Sequence, residues 1–190
     1  MEAAFAIFAK KGYAAASTLE IASRARVSKR ELYAIVGTKQ TLLVECISRR
    51  AARMRIPAGL PAPTDAATFE RVLLTFGSRL VTEISDPAVI GVFRLAIAEA
   101  AHAPEVARTL DSIGRAASRS ALRNVMEQAR SCGLIDGQPA ERAEQFAGLL
   151  WGNLMVSLLL GVAERPSPGA IRLRARDATE AFLRLAVCRK

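Results

Sequence analysis

STLEIASRARVSKRELYAIVGTK, residues 17–39, is the stretch that decides the fold. Ser17 and Glu20 stand three positions apart ahead of an apolar residue, and Ser28 and Glu31 repeat the arrangement. In such a capping box the hydroxyl accepts the N–H of the third helical residue while the carboxylate reaches back to the cap's own N–H, so each pair predicts the opening of a helix. The earlier helix runs through Ala25. The later one ends at Val36, where Gly37 supplies the stop. Only Arg26 and Val27 lie between them, and two short helices on so short a connection form a helix-turn-helix. Closing its corner takes a small residue where the backbones meet, Ala22, and apolar residues placed around it: Ile21, Ala25, Val27, Leu32 and Ile35 are expected to seal the angle.

Outward from this stretch the pattern stays helical. Met1 to Lys11 places Ala4, Phe5 and Phe8 on one face and stops at Gly12. Thr38 is positioned to cap a further helix ending near Arg55. Pro57, Gly59, Pro61 and Pro63 then interrupt any helix and mark a linker. Beyond it, Asp65 opens a helix with Phe69, Val72, Leu73, Phe76, Leu80 and Ile84 at helical spacing. Asp86 with Pro87 opens one through Ala101. Pro104 opens a long one to about Cys132, closed by Gly133, and the last two are expected over 139–163 and 168–187. Turn signals do not bracket β-branched alternation anywhere, so the chain reads as all-α.

Charge narrows the function. The 190 residues carry a formal charge of +9, and Met1 to Arg55 holds 11 basic residues against 4 acidic ones. Basicity gathered in one quarter of a chain points to a polyanion, nucleic acid before an anionic membrane. Three scattered cysteines and a single histidine give no metal-ligand spacing, so neither metal nor cofactor is expected, and a reduced, cytoplasmic setting fits them. An enzyme lacks its usual parts: there is no phosphate-cradling glycine loop and no nucleophile elbow. A nonspecific nucleoid or architectural protein would also use the basic quarter, but has no need of a large apolar C-terminal half.

Phe8-Ala9-Lys10-Lys11-Gly12-Tyr13, Ile21-Ala22, Val27-Ser28-Lys29, Leu32-Tyr33 and Lys39 with Leu42 together resemble the DNA-binding domain of the TetR family of bacterial regulators. The resemblance implies a dimer in which each third helix enters the major groove of one half-site, and a mode of action as a repressor released from a palindromic operator by a small molecule. Lys29 and Arg30, on the first turn of that helix, have the chemistry to reach guanine O6 and N7. Tyr33 and Lys39 hold phosphates by family position, Lys39 at the positive end of the fourth helix. Ser17 and Ser28 complete the expected DNA-binding set. The chain departs from the family at Ala16, Arg26 and Val36, usually Thr, Gly and Phe, and its first helix begins late, so that part of that helix and any basic arm are expected to be missing.

Phe93 to Ala100, followed by Pro104-Glu105, is similar to the C-terminal domain of AefR-like members. On this reading residues 1–55 are an N-terminal three-helix helix-turn-helix DNA-binding domain, 56–64 a linker, and 65–190 a C-terminal helical ligand-binding and dimerisation domain. Phe76, Phe93, Ile97, Met126, Trp151 and Met155 are candidates to line an apolar pocket, with Arg94, Glu99, His102 and Asn153 to orient a ligand in it. Phe146 to Ala163 is the most apolar stretch, 18 residues flanked by Glu144, Glu164 and Arg165. Its length borders on a membrane span, but its flanks favour burial between subunits, paired with the last helix in an intersubunit four-helix bundle.

Overall fold

The computed structural model describes residues 1–52, 61–98, 100–101 and 104–186. Eleven α-helices and one π-helical segment are found among them, and no strand. They are α1 (Glu2–Lys11), α2 (Thr18–Ala25), α3 (Lys29–Val36), α4 (Lys39–Ala52), α5 (Ala66–Ile84), α6 (Pro87–Ala98), α7 (Pro104–Thr109), a π-helical turn (Leu110–Arg115), α8 (Ala116–Ser131), α9 (Pro139–Trp151), α10 (Leu154–Leu160) and α11 (Pro168–Ala186).

Packing divides the chain differently from sequence order. One compact unit comprises Met1–Arg53 and Asp86–Ala116, the other Met54–Ser85 and Ala117–Lys190. In the first, Phe5, Ile7 and Phe8 of α1 are buried with Ile21, Leu42, Leu43 and Ile47, and α1 packs on α2, α4 and α6. Its approach to α6 is close: a Cβ added at Gly91 would stand 2.6 Å from the Ala9 Cβ and 3.0 Å from its Cα. No larger residue fits there without moving backbone. The π-helical turn lies against α4 and carries an Arg115–Asp111 ion pair at 3.0 Å. The long helix expected from Pro104 is therefore interrupted, with the Ala116 N–H reaching back five residues to the Asp111 carbonyl.

The second unit is built on α11, which packs against α5 and α9. Phe182 meets Phe69 and Phe146 edge to face, at centroid distances of 6.3 and 5.5 Å, a geometry that sets the positive ring edge on the negative face. Asp65 caps α5, its carboxylate accepting the Thr68 N–H at 2.8 Å. The single helix expected over 139–163 is broken. Gly152 adopts φ 45° and ends α9, α10 sets off at 56° to it, and Gly161 at φ 76° ends α10. Arg174 donates to the Leu150 and Trp151 carbonyls at 3.1 and 3.3 Å, taking up carbonyls that the break leaves without helical partners. Among the described residues no single helix is long and apolar enough to cross a membrane. The last helix is described as far as Ala186. Residues 53–55 at the end of the expected fourth helix, 56–60 of the expected linker, Glu99, His102 and Val187 lie outside the described residues.

Candidate nucleic-acid interface

The turn between α2 and α3 is closed by backbone bonds. The Arg26 N–H donates to the Ser23 carbonyl and the Val27 N–H to the Ala22 carbonyl, each at 3.1 Å. This is the Schellman pattern, which needs a left-handed residue just past the helix. Arg26 is that residue, at φ 57°, the one described non-glycine residue with positive φ. The family's usual glycine takes this conformation freely, whereas a Cβ costs about 1–2 kcal/mol there. Arg26→Gly is therefore expected to raise stability by about 0.5–1 kcal/mol after the added chain entropy of glycine is subtracted, read as a higher urea midpoint.

Ser28 then caps α3 in the expected way. Its hydroxyl accepts the Glu31 N–H at 3.1 Å, and Glu31 accepts the Ser28 N–H at 2.7 Å. Those bonds from Ser28 hold the Glu31 carboxyl below the usual carboxylate range, so it serves the helix as an ionised cap. The expected box at Ser17 does not form. Ser17 accepts only the Leu19 N–H, at 3.2 Å, because Glu20 is taken by Lys11 at 2.7 Å. Within the corner, Ile21, Ala22 and Leu32 are buried and Val27 is half-buried, but Ala25 and Ile35 are exposed. They do not seal it. An eight-residue helix has one buried row, and in α3 that row is taken by Leu32 with half-buried Val36.

Around the capped α3 the polar side chains form two groups. Tyr33 shares a 3.2 Å hydrogen bond with the Thr18 hydroxyl, and the Lys29 ammonium lies 5.8 Å from the Tyr33 ring centre. Lys39, the first residue of α4, donates to the Ala14 carbonyl at 3.0 Å and sits 4.8 Å from the ring centre of Tyr13. Burial, then the charge of Glu105, pushes the Tyr13 phenol up, so the ring stays neutral beneath the cation. Thr38 caps α4, accepting the Thr41 N–H at 3.1 Å. Ser17, Ser28, Lys29, Arg30 and Tyr33 are exposed and Lys39 is half-buried. Thr18 and Tyr13 are not among the site residues expected from the sequence. Thr18 adjoins a capping residue and reads as the start of a helix, and Tyr13 follows a glycine stop, so only the fold discloses their partners.

The arrangement is a rigid two-helix corner that presents a cationic helix, with hydroxyl and ammonium groups beside it at the N-termini of α2 and α4. Residues 1–46 match the family described as bacterial regulatory proteins of the tetR family, and residues 71–185 match the C-terminal domain of AefR-like transcriptional repressors. The chain belongs to the TetR family. It is a transcriptional regulator with a DNA-binding helix-turn-helix, not an enzyme. Among solved structures, a protein assigned to this family from Mesorhizobium loti MAFF303099 is 27% identical with a TM-score of 0.83, over 98% of this chain and 94% of that one. A TetR regulator from Agrobacterium tumefaciens is 26% identical with a TM-score of 0.82, over 100% and 93% of the two chains. The flavonoid-responsive regulator FrrA is 27% identical with a TM-score of 0.74, over 100% and 95%. A search of curated proteins returned no match.

The expected ligand residues fall in both compact units of this TetR regulator. In the first, Phe93 is half-buried, while Arg94 and Ile97 are exposed. In the second, Phe76 and Met126 are fully buried in the core, Trp151 and Met155 are half-buried, and Asn153 is exposed. A cleft of about 460 Å³ in the first unit is lined by Met1, Glu2, Ala3, Phe5, Ala25, Cys46 and Arg49, none of them in that set. Burial pushes the Cys46 thiol up to about 11, which keeps it protonated and unreactive.

Proposed function

We propose that this regulator is a homodimeric repressor that holds a palindromic operator through α3 of each subunit and releases it when a small molecule binds. The observation that carries the DNA-contact part is the group that Thr18 and Lys29 form with exposed Tyr33 on α3, with Lys39 held separately at the start of α4 by the Ala14 carbonyl. Lys29 and Arg30 read base edges, while Ser17, Ser28, Tyr33 and Lys39 set register on phosphates. Residues 1–55 act as the DNA-binding domain, 56–64 as the linker and 65–190 as the ligand-binding and dimerisation domain.

Dimerisation runs through the helices of 139–163 and 168–187. Val156, Leu160 and Val162 are exposed at 58, 72 and 76%, and Leu173 and Leu185 at 52 and 58%. A Cβ added at Gly148 would meet nothing within 4 Å, which leaves room for a close approach. Apolar surface of this extent supports a partner helix pair. For the ligand, the structural likeness to a flavonoid-responsive regulator makes flavonoids the class to try first. Its effect reaches the reading helices by way of α6, which packs on α1 within one compact unit. If the ligand loosens the operator by a given factor, the operator loosens the ligand by the same factor.

The test is the salt dependence of duplex binding. Each phosphate neutralised contributes about −0.9 to the slope of log affinity against log salt. Lys39→Ala is expected to flatten that slope by about 0.9 and to weaken specific and random duplexes alike, and Tyr33→Ala to weaken both equally. An unchanged slope removes Lys39 from the footprint.

A further inference from the structure

Ile35 is among the most exposed large apolar residues of the chain, at 75%, and it stands on the helix assigned to base reading. At about 100° per residue, Leu32 and Val36 centre the buried face of α3 and Ala34 falls opposite them, pointing outward. Tyr33 and Ile35 then stand about 100° to either side of Ala34. The Tyr33 flank is occupied by the polar group described above, with Thr18 and Lys29. The opposite flank presents an isoleucine that contributes nothing to the corner it was expected to close.

A single exposed isoleucine is ordinary on a protein surface, but this one has a particular position. It shares a two-turn helix with Lys29 and Arg30, in the most basic quarter of the chain, but the residue one turn before it on its own flank is Glu31, whose carboxylate is held by the Ser28 N–H, so what Ile35 can offer a duplex is an apolar contact and not a charged one. β-Branching does not favour the helix either. Of the groups that the four standard bases display in the major groove, one is apolar, the C5 methyl of thymine, and apolar side chains are its usual contacts.

We infer that Ile35, with Ala34 beside it, reads thymine through its methyl group and so determines one position in each half-site. This rests on the proposed entry of α3 into the major groove and adds to it the identity of a base. It adds an apolar base contact on the Ile35 side to the base edges proposed for Lys29 and Arg30 and the phosphate contact proposed for Tyr33.

The experiment begins by selecting bound duplexes from a random pool with the full chain. In a recovered duplex each thymine is then replaced singly by deoxyuridine, which removes the methyl group and leaves the pairing edge intact. Affinities are measured for the unaltered protein, Ile35→Ala and Ile35→Ser, both of which should fold because the side chain is exposed. At one thymine per half-site, deoxyuridine is expected to weaken the unaltered protein by about fourfold, the value of one methyl-sized group removed from water. At that same position it should leave both variants unaffected. Equal sensitivity of all three proteins at every thymine, or no sensitivity in any of them, overturns the inference while leaving DNA binding by α3 in place. If no duplex is enriched at all, the proposed operator binding fails and this inference with it.

Discussion

Gly91→Ala is expected to destabilise the protein by about 2–3 kcal/mol, well beyond the effect of a substitution at an exposed position such as Ile35. The reason is the 2.6 Å separation that its Cβ would have from the Ala9 Cβ, with the Ala9 Cα at 3.0 Å and carbonyl oxygen at 3.2 Å behind it. A flexible side chain can swing away from a crowded neighbour, but backbone cannot, so α1 and α6 must separate. Phe5, Ile7 and Phe8 lie on α1 and Val89, Ile90 and Val92 on α6, all buried, and separation exposes some of them or opens voids. For a chain of this size the loss corresponds to a fall in Tm of about 5–10 °C. Ala9→Gly in the same molecule should recover part of it, because one of the clashing carbons is then gone and the backbone contacts remain. A Gly91→Ala protein of unchanged Tm would mean that α1 and α6 do not meet at this distance.

Lys29→Ala and Arg30→Ala should each cost about 1–3 kcal/mol of discrimination, roughly 5- to 150-fold, at one base pair of the operator. Both side chains are exposed on the first turn of α3, and neither takes part in the cap, which Ser28 and Glu31 form by themselves. The helix therefore survives either substitution, and circular dichroism should be unchanged. What changes is selectivity: binding to random duplex falls by at most the loss of one charge, while the preferred duplex falls much further. This separates base reading from the uniform weakening expected at Tyr33 and Lys39. Equal losses on preferred and random duplexes would reassign Lys29 and Arg30 to the phosphates.

The all-helical class, the corner and its second helix were legible because their signals are local. The capping box at Ser28 and Glu31 and the stop at Gly37 each act within a few residues, and nothing distant competes for their atoms. The same signal failed at Ser17 because Lys11, nine residues before Glu20, reached the carboxylate through the packing of α1 on α2. Ile35 was misplaced for a different reason: offsets from Ala22 give spacing along the chain but not which side of a two-turn helix the core will take. The Lys39–Tyr13 contact joins residues 26 positions apart and has no spacing signature. Gly152 was visible as a small residue, but a glycine that lets helices approach and one that ends a helix look alike until φ is known. The grouping of 86–116 with 1–53 is likewise set by tertiary packing, through the Gly91–Ala9 contact among others.

Whether α3 reads an operator as half of a symmetric pair is decided by enrichment of duplexes from a random pool, using the purified full chain alongside a Lys29→Ala, Arg30→Ala double variant. The expected outcome is recovery of a sequence with two related half-sites whose centres lie one helical turn apart, about 10–10.5 base pairs, or a multiple of it, and loss of that enrichment in the double variant. Enrichment that persists undiminished in the double variant, or a pool that emerges as random as it began, would mean that the cationic tip of α3 does not select the operator.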